Sequence, residues 1–221
     1  MLKQTSFILL LSFLTIILMG LQCGKDHNNI LPPRQAFLET VNLTPAQKVY
    51  NINDTIWLKY ITTSKTFFDT ISRQRLPTNA IKFVFGAILL SKYNTIVNPT
   101  DGYCKFILPN NVIGQYITSQ SGSSTFFTVD CDNATSYNIL VGVVLKYQGI
   151  YVLDLPDRIT LEACANQTNP YPSASVQFIY NLSDCNKDVY LSIPATARQE
   201  FPVGFTEGQI NFKVAYAFKV Q

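Results

Sequence analysis

Histidine is almost missing from this 221-residue chain; His27 is the only one. A Ser-His-Asp triad, a Cys-His nucleophile pair or a His-ligated metal needs an imidazole in the folded part. His27 lies in a polar stretch near the N-terminus, where solvation is its expected state. Charge is scarce too. Asp, Glu, Lys and Arg make up 14% of the residues, against about 25% in an ordinary soluble protein. The net charge of +3 is too small to attract nucleic acid or an anionic membrane surface, and no run of like charges occurs. The ten glycines are scattered, so no Gly-rich phosphate loop is present. No Cys-x-x-Cys pair occurs either, which leaves zinc without its usual ligand spacing. Neither metal nor cofactor is expected.

What is present begins with an apolar run from Phe7 to Leu21, preceded by Lys3. At about 15 residues it is shorter than the roughly 20 that span a bilayer. A basic start, a short apolar middle and a small-residue exit describe a secretory signal. Cys23 sits at its border, with Leu21 two residues upstream and Gln22 directly before it. Cleavage before Cys23 would make this cysteine a lipidated N-terminus. Cleavage near Gly20 would leave it an odd thiol in a secreted chain. The following "GKDHNNILPP" has no hydrophobic period and reads as a tether. The expected organisation is thus a signal peptide over 1–22, a lipidated tether over 23–35, and a folded part over 36–221 as one domain or two sub-domains.

Four cysteines remain: Cys104, Cys131, Cys164 and Cys185. An even number in an exported chain points to disulfides. Three pairings are possible. Sequential bridging, Cys104 with Cys131 and Cys164 with Cys185, closes two moderate loops and is the expected one. Buried thiols are the rival.

Periodicity in the folded part is that of strands. In "TIWLKYI", Ile56, Leu58 and Tyr60 alternate with Trp57, Lys59 and Ile61, the period-two pattern of a half-buried strand. "IKFVFGAILL" (81–90) is apolar throughout, which suits burial on both faces. "TFFTVD", "YNILVGVVLKY", "IYVLDL", "RITLEA", "SVQFIYN" and "FKVAYAFKV" follow. Gln148-Gly149 between two of these runs reads as a hairpin turn. "IPATARQEF" (193–201) is the one expected helix. Residues 62–124 outside the 81–90 strand read as long loops. The expectation is an all-β fold: an antiparallel β-sandwich of about eight strands with long loops.

Two segments carry a resemblance. "LTPAQKVYNINDTIWLKY", with Y-x-x-x-D-T-I-W at its centre, and "QGIYVLDL" resemble the opening and a late strand of immunoglobulin-like modules in surface lipoproteins of Bacteroidota. "CGKD" resembles the mature start of such lipoproteins. The resemblance covers the signal, residues 43–60 and residues 137–155. It implies an immunoglobulin-like sandwich displayed on the outer membrane or cell surface, lipid-anchored through Cys23. Secretion without an anchor is the alternative. The family carries no assigned activity, so it transfers no functional residue.

Candidate site residues are few. Tyrosines in low-charge loops suit contact with a protein or a glycan, which singles out Tyr93, Tyr103, Tyr116 and Tyr171 as binding candidates; the rival role of each is to anchor its loop by packing. Asp130 and Asp132, with Asn133, have alternate spacing that can feed calcium, but they lack the glycine and distal glutamate of a helix-loop-helix site and fit strand-end turns. Three functions stay open. The first is a non-catalytic binding or structural module, and the second a carboxylate-only polysaccharide hydrolase. The third is a subunit of an outer-surface adhesin or uptake assembly. The partners expected are a membrane, through the lipid, and a protein or glycan ligand.

Overall fold

The computed structural model describes residues 35–93, 102–109, 115–120, 123–131, 134–156, 158–198 and 207–221, with backbone alone for 91–93 and 115–120. The signal, Cys23 and the tether up to Arg34 lie outside the described residues.

The alternation read from the sequence is realised strand by strand. In β3 (Thr55–Ile61), Ile56, Leu58 and Tyr60 point into the core while Thr55, Trp57 and Lys59 stay half-exposed. In β1 (Ala36–Thr44), Phe37, Glu39, Val41 and Leu43 are buried. β13 (Ser175–Tyr180) buries Val176, Phe178 and Tyr180, and β9 (Ser124–Val129) buries Thr125, Phe127 and Val129. The longest strand, β6 (Ile81–Tyr93), carries the apolar 81–90 run.

These strands form two layers. In the front layer β2 (Val49–Tyr50), β14 (Ala215–Val220), β11 (Gly149–Asp154), β6, β9 and β8 (Gln115–Gln120) lie side by side. In the back layer the order is β13, β1, β3, β10 (Asn138–Leu145) and β7 (Cys104–Ile107). The pair β4 (Thr66–Asp69) and β5 (Gln74–Pro77) joins the back layer through Phe37 opposite Asp69. Strand β12 (Ile159–Ala163) belongs to both. Its first two residues pair with β13 and its last three with β6, so it turns the corner between the layers.

The layers meet through aromatic side chains. The Phe178 ring on β13 lies 5.9 Å from Phe83 and 5.1 Å from Phe85, both on β6. It also lies 5.1 Å from Tyr60 on β3. Phe67 on β4 completes the cluster, 5.3 Å from Phe83. Burying rings of this size supplies the largest apolar contribution per residue. The outer face of the front layer is covered as well. Ala215 to Phe218 of β14 are all buried, because α1 (Lys187–Leu191) and α3 (Glu207–Asn211) pack on β14, and α2 (Ala195–Arg198) packs on β6. Among the described residues no helix is long and apolar enough to cross a membrane.

Several expectations need correcting. Among the described residues fourteen strands replace about eight. Of the six beyond the eight runs, β1 and β2 precede the first of them, and β4, β5, β7 and β8 fall where long loops were expected, since they are four to six residues long and β5 is almost wholly exposed. The strands flanking Gln148-Gly149 do not form a hairpin. β10 pairs with β3 and β7, whereas β11 pairs with β14 and β6, so the short break carries the chain from one layer to the other. Each strand is an inner strand of its layer. The single helix expected over 193–201 is four residues in α2, and two further short helices flank it in the chain.

Candidate functional site

At one end of the sandwich, three loops converge. Residues 62–65 follow β3, residues 77–80 follow β5, and residues 134–137 precede β10. They are tied by backbone bonds: Lys65 N–H donates to Thr135 O at 2.8 Å, Thr78 N–H to Lys65 O at 2.9 Å and Thr62 N–H to Tyr137 O at 3.0 Å. Side chains reinforce the tie. Tyr137 N–H donates to Thr62 Oγ1 at 2.9 Å, and the Thr78 and Tyr137 hydroxyls lie 2.6 Å apart.

A disulfide between Cys131 and Cys164 staples the same region. Cys164 N–H donates to Ala80 O at 3.0 Å, and its Sγ lies 3.5 Å from Asn79 O. The 131–137 loop is therefore linked covalently to a residue that is itself hydrogen-bonded to the 77–80 loop. Closing a loop across a sequence separation of 33 limits the unfolded chain.

Between these loops lies an open groove of about 410 Å³ lined by Ser64, Lys65, Thr66, Pro77, Asn79 and Ala134 with Thr135. That volume is at the lower end of the roughly 300–1,000 Å³ of ligand sites. The walls offer hydroxyls, an amide and backbone groups. Lys65 is 6% exposed, and its ammonium lies 5.9 Å from the centre of the Tyr137 ring, close enough for a cation–π contact. Ser64 Oγ and Thr66 Oγ1 are 3.1 Å apart, and Arg75 Nε donates to Thr66 Oγ1 at 2.9 Å. Arg75 is in turn held by Glu39, a buried carboxylate on β1 that also accepts from Phe68 N–H. Among the described residues the lining contains no carboxylate, thiol or imidazole. The hydroxyls, the amide and the lysine can hydrogen-bond a polar ligand.

The tyrosine candidates sit in different elements. Tyr171 is buried, its hydroxyl donates to Pro77 O at 2.9 Å, and its ring meets Phe37 edge-on at 5.1 Å. Burial raises its pKa. It braces one wall of the groove from behind. Tyr103 is half-buried with its ring 6.2 Å from Tyr151. Tyr93 and Tyr116 sit in strands β6 and β8 rather than in loops; their side chains lie outside the described residues.

The sequential disulfide pairing is overturned, because Cys131 bonds Cys164 and neither Cys104 nor Cys185 is in a disulfide. Cys104 faces the core from β7, and burial pushes its thiol up to about 12. Cys185 runs along the edge of β14, where its carbonyl accepts from Ala217 N–H, and burial pushes its thiol up to about 11. The two are separated by the fold because one belongs to the back layer and the other to the edge of the front layer.

The aspartates have local roles. Asp130 accepts from Cys131 N–H at 2.7 Å, while Asp132 and Asn133 lie outside the described residues. Asp184 Oδ1 accepts from Lys187 N–H at the start of α1, and Asp188 pairs with Lys48 at 2.6 Å. Among the described residues no three His, Cys, Asp or Glu side chains are placed to hold a metal ion. The groove residues Ser64, Lys65, Asn79 and Thr135 were not singled out from the sequence. They come from three loops distant along the chain, and only the pairing of β3, β5 and β10 with their neighbours brings them together.

No family model and no curated protein matches the chain. Among solved structures it is similar to cohesin modules, at low scores. The sixth cohesin of scaffoldin B from Acetivibrio cellulolyticus, solved with a Cel5 dockerin mutant, gives a TM-score of 0.32 at 8% identity, covering 63% of this chain and 96% of that one. CaCohA2 from Clostridium acetobutylicum gives 0.31 at 13% identity, covering 63% and 91%. The non-cellulosomal cohesin of the archaeon Archaeoglobus fulgidus gives 0.29 at 9% identity, covering 82% and 90%. Likeness at this level assigns neither ligand nor residue.

Proposed function

We propose that the chain is a non-catalytic binding module displayed at a cell surface and held there by lipid on Cys23. The observation that carries the reading is the groove at the stapled end of the sandwich. Its walls belong to loops fixed by the Cys131–Cys164 bridge and a backbone hydrogen-bond network, and its lining is hydroxyl and amide groups with one cation. Loops on a rigid β scaffold are where binding concentrates, and loops already fixed lose little freedom when a ligand arrives. A short polar segment, either a glycan or a peptide, suits such a lining.

The test is a glycan and peptide array probed with the full chain and with its Asn79→Ala/Thr135→Ala variant. Binding should fall about tenfold in the variant, the value of one or two hydrogen bonds. An unchanged profile, or cleavage of an arrayed glycan by the native chain, would refute the reading. The anchor is tested separately. Cys23→Ala should release the protein or leave an uncleaved precursor; a membrane-bound product of mature size would rule out lipidation. Two or three acyl chains are needed for firm anchorage, since one gives only reversible binding.

A further inference from the structure

The outward face of the back layer carries a second candidate surface, away from the groove. Its centre is Trp57, the chain's one tryptophan, on the half-exposed side of β3. Register places Thr44 of β1, Trp57 of β3, Gly142 of β10 and Ile107 of β7 in one row across four strands. The indole reaches along that row from β3 to β10. A Cβ built on Gly142 would stand 2.9 Å from Cζ3 and 3.1 Å from Cη2 of the ring, so the six-membered ring rests on the bare backbone of residue 142. The Trp57 side chain is half-exposed. Leu140, Val144 and Ile107, each half-exposed, surround it.

Two cations flank this platform. Lys59 pairs with Leu140, and Lys105 pairs with Val144. Gly142 is therefore midway between them, and the indole lies on the diagonal that joins them. From strand spacing and rise, the two lysine Cα atoms are about 16 Å apart. Neither lysine is in an ion pair among the described residues. The same face presents Asn42, Thr44, Thr55 and Asn138 from β1, β3 and β10, and the outward positions of these strands and of β7 hold no carboxylate among the described residues.

We propose that this face binds an anionic polysaccharide, a polymer of uronic acid residues. A sugar ring presents a face of C–H groups that can pack on a half-exposed indole. Aromatic faces carry partial negative charge and attract C–H edges. Carboxylates repeating along the polymer meet a cation on each side of the stacked ring, and hydroxyls at the ring's rim meet Asn42, Thr44 and Thr55. The two lysines with no opposing acid set the sign of the partner's charge.

Trp57 fluorescence reads this surface directly, since no other tryptophan contributes. Full-length protein is titrated with polygalacturonate, with dextran as the neutral polymer and polyglutamate as the acidic peptide, and binding is checked by affinity electrophoresis. Polygalacturonate should shift the emission to shorter wavelength and saturate, and dextran should not. Lys59→Ala/Lys105→Ala should weaken binding at least tenfold with an unchanged melting temperature, and Trp57→Ala should lose retardation in the gel. Asn79→Ala in the groove should leave polygalacturonate binding intact, which separates this surface from the groove. Absence of any shift or retardation would overturn the proposal. So would equal binding of polyglutamate, an unaffected lysine variant, loss in Asn79→Ala, or a dimer in sedimentation that covers Trp57.

Discussion

Removing the Cys131–Cys164 bridge is the most informative single perturbation. With 33 residues of separation, the chain-entropy relation gives about 3–4 kcal/mol of lost stability at 25 °C. A domain of this size should melt about 10 °C lower in consequence. The Cys131→Ser/Cys164→Ser variant and the oxidised parent are compared by guanidinium unfolding. The midpoint should fall, and the slope should rise modestly because the unbridged unfolded chain exposes more surface. Thiol labelling gives a second readout. Cys104 and Cys185 are buried and in no disulfide, so both should stay silent in the folded parent and react once it is unfolded without reductant. Two further labels should appear only after reduction. A stability difference below about 1 kcal/mol, or no thiol of these four labelled on unfolding without reductant, would refute the pairing and with it the stapled groove.

Other outcomes follow from the packing and the buried groups. Phe178→Ala removes the ring that Tyr60, Phe67, Phe83 and Phe85 surround and should cost about 3–5 kcal/mol in urea unfolding. Gly86→Ala puts a methyl against the Phe126 ring with Pro156 close behind, and should destabilise by about 1–3 kcal/mol through overpacking; an unchanged midpoint would show that Phe126 swings away freely. Arg75→Ala leaves Glu39 buried without its cation. Loss of a buried pair costs about 3–5 kcal/mol, but the Arg75 side chain is 46% exposed, so about 2 kcal/mol is expected after screening. Stability should fall at high pH. The unfolded thiols ionise near 9.0, while folding holds Cys104 and Cys185 protonated up to about 12 and about 11. The unfolded state therefore binds fewer protons, and stability declines from pH 9 upward. A flat profile between pH 9 and 11 would contradict this burial.

The parts of the fold visible in the sequence are those whose burial repeats at a fixed period. β3, β6, β9 and β13 are legible because Ile56-Leu58-Tyr60 or Val176-Phe178-Tyr180 alternate without interruption. β5 and β7 were hidden. Four residues such as Gln74–Pro77 do not complete a pattern, and their strand character comes from a partner already in place. Partner choice is not local either. Nothing in Lys146–Gln148 distinguishes a hairpin from a crossing between layers; the pairing of β10 with β3 decides it. Cysteine pairing failed for the same reason. Loop length favoured neighbours in sequence, whereas the two layers place Cys131 beside Cys164. Trp57 is visible in the sequence as one member of an alternating strand, but Gly142, against which its ring rests, lies on another strand and has no visible connection to it.

The strand order also dictates when the chain can fold. β1 is completed by β13, with Ala36 opposite Ser175, and β2 by β14, with Lys219 opposite Val49. β12, which joins the two layers, is itself late in the sequence. A chain emerging N-terminus first therefore has β1, β3 and β6 available well before the strands that cover them. Pairings this distant in sequence are slow to form, because loop closure precedes any gain from contact. Throughout that interval the apolar 81–90 run and the open edge of β1 stand exposed to other chains. A holding factor during emergence, or rapid delivery to a compartment where the whole chain is free at once, would protect these segments until β13 and β14 arrive.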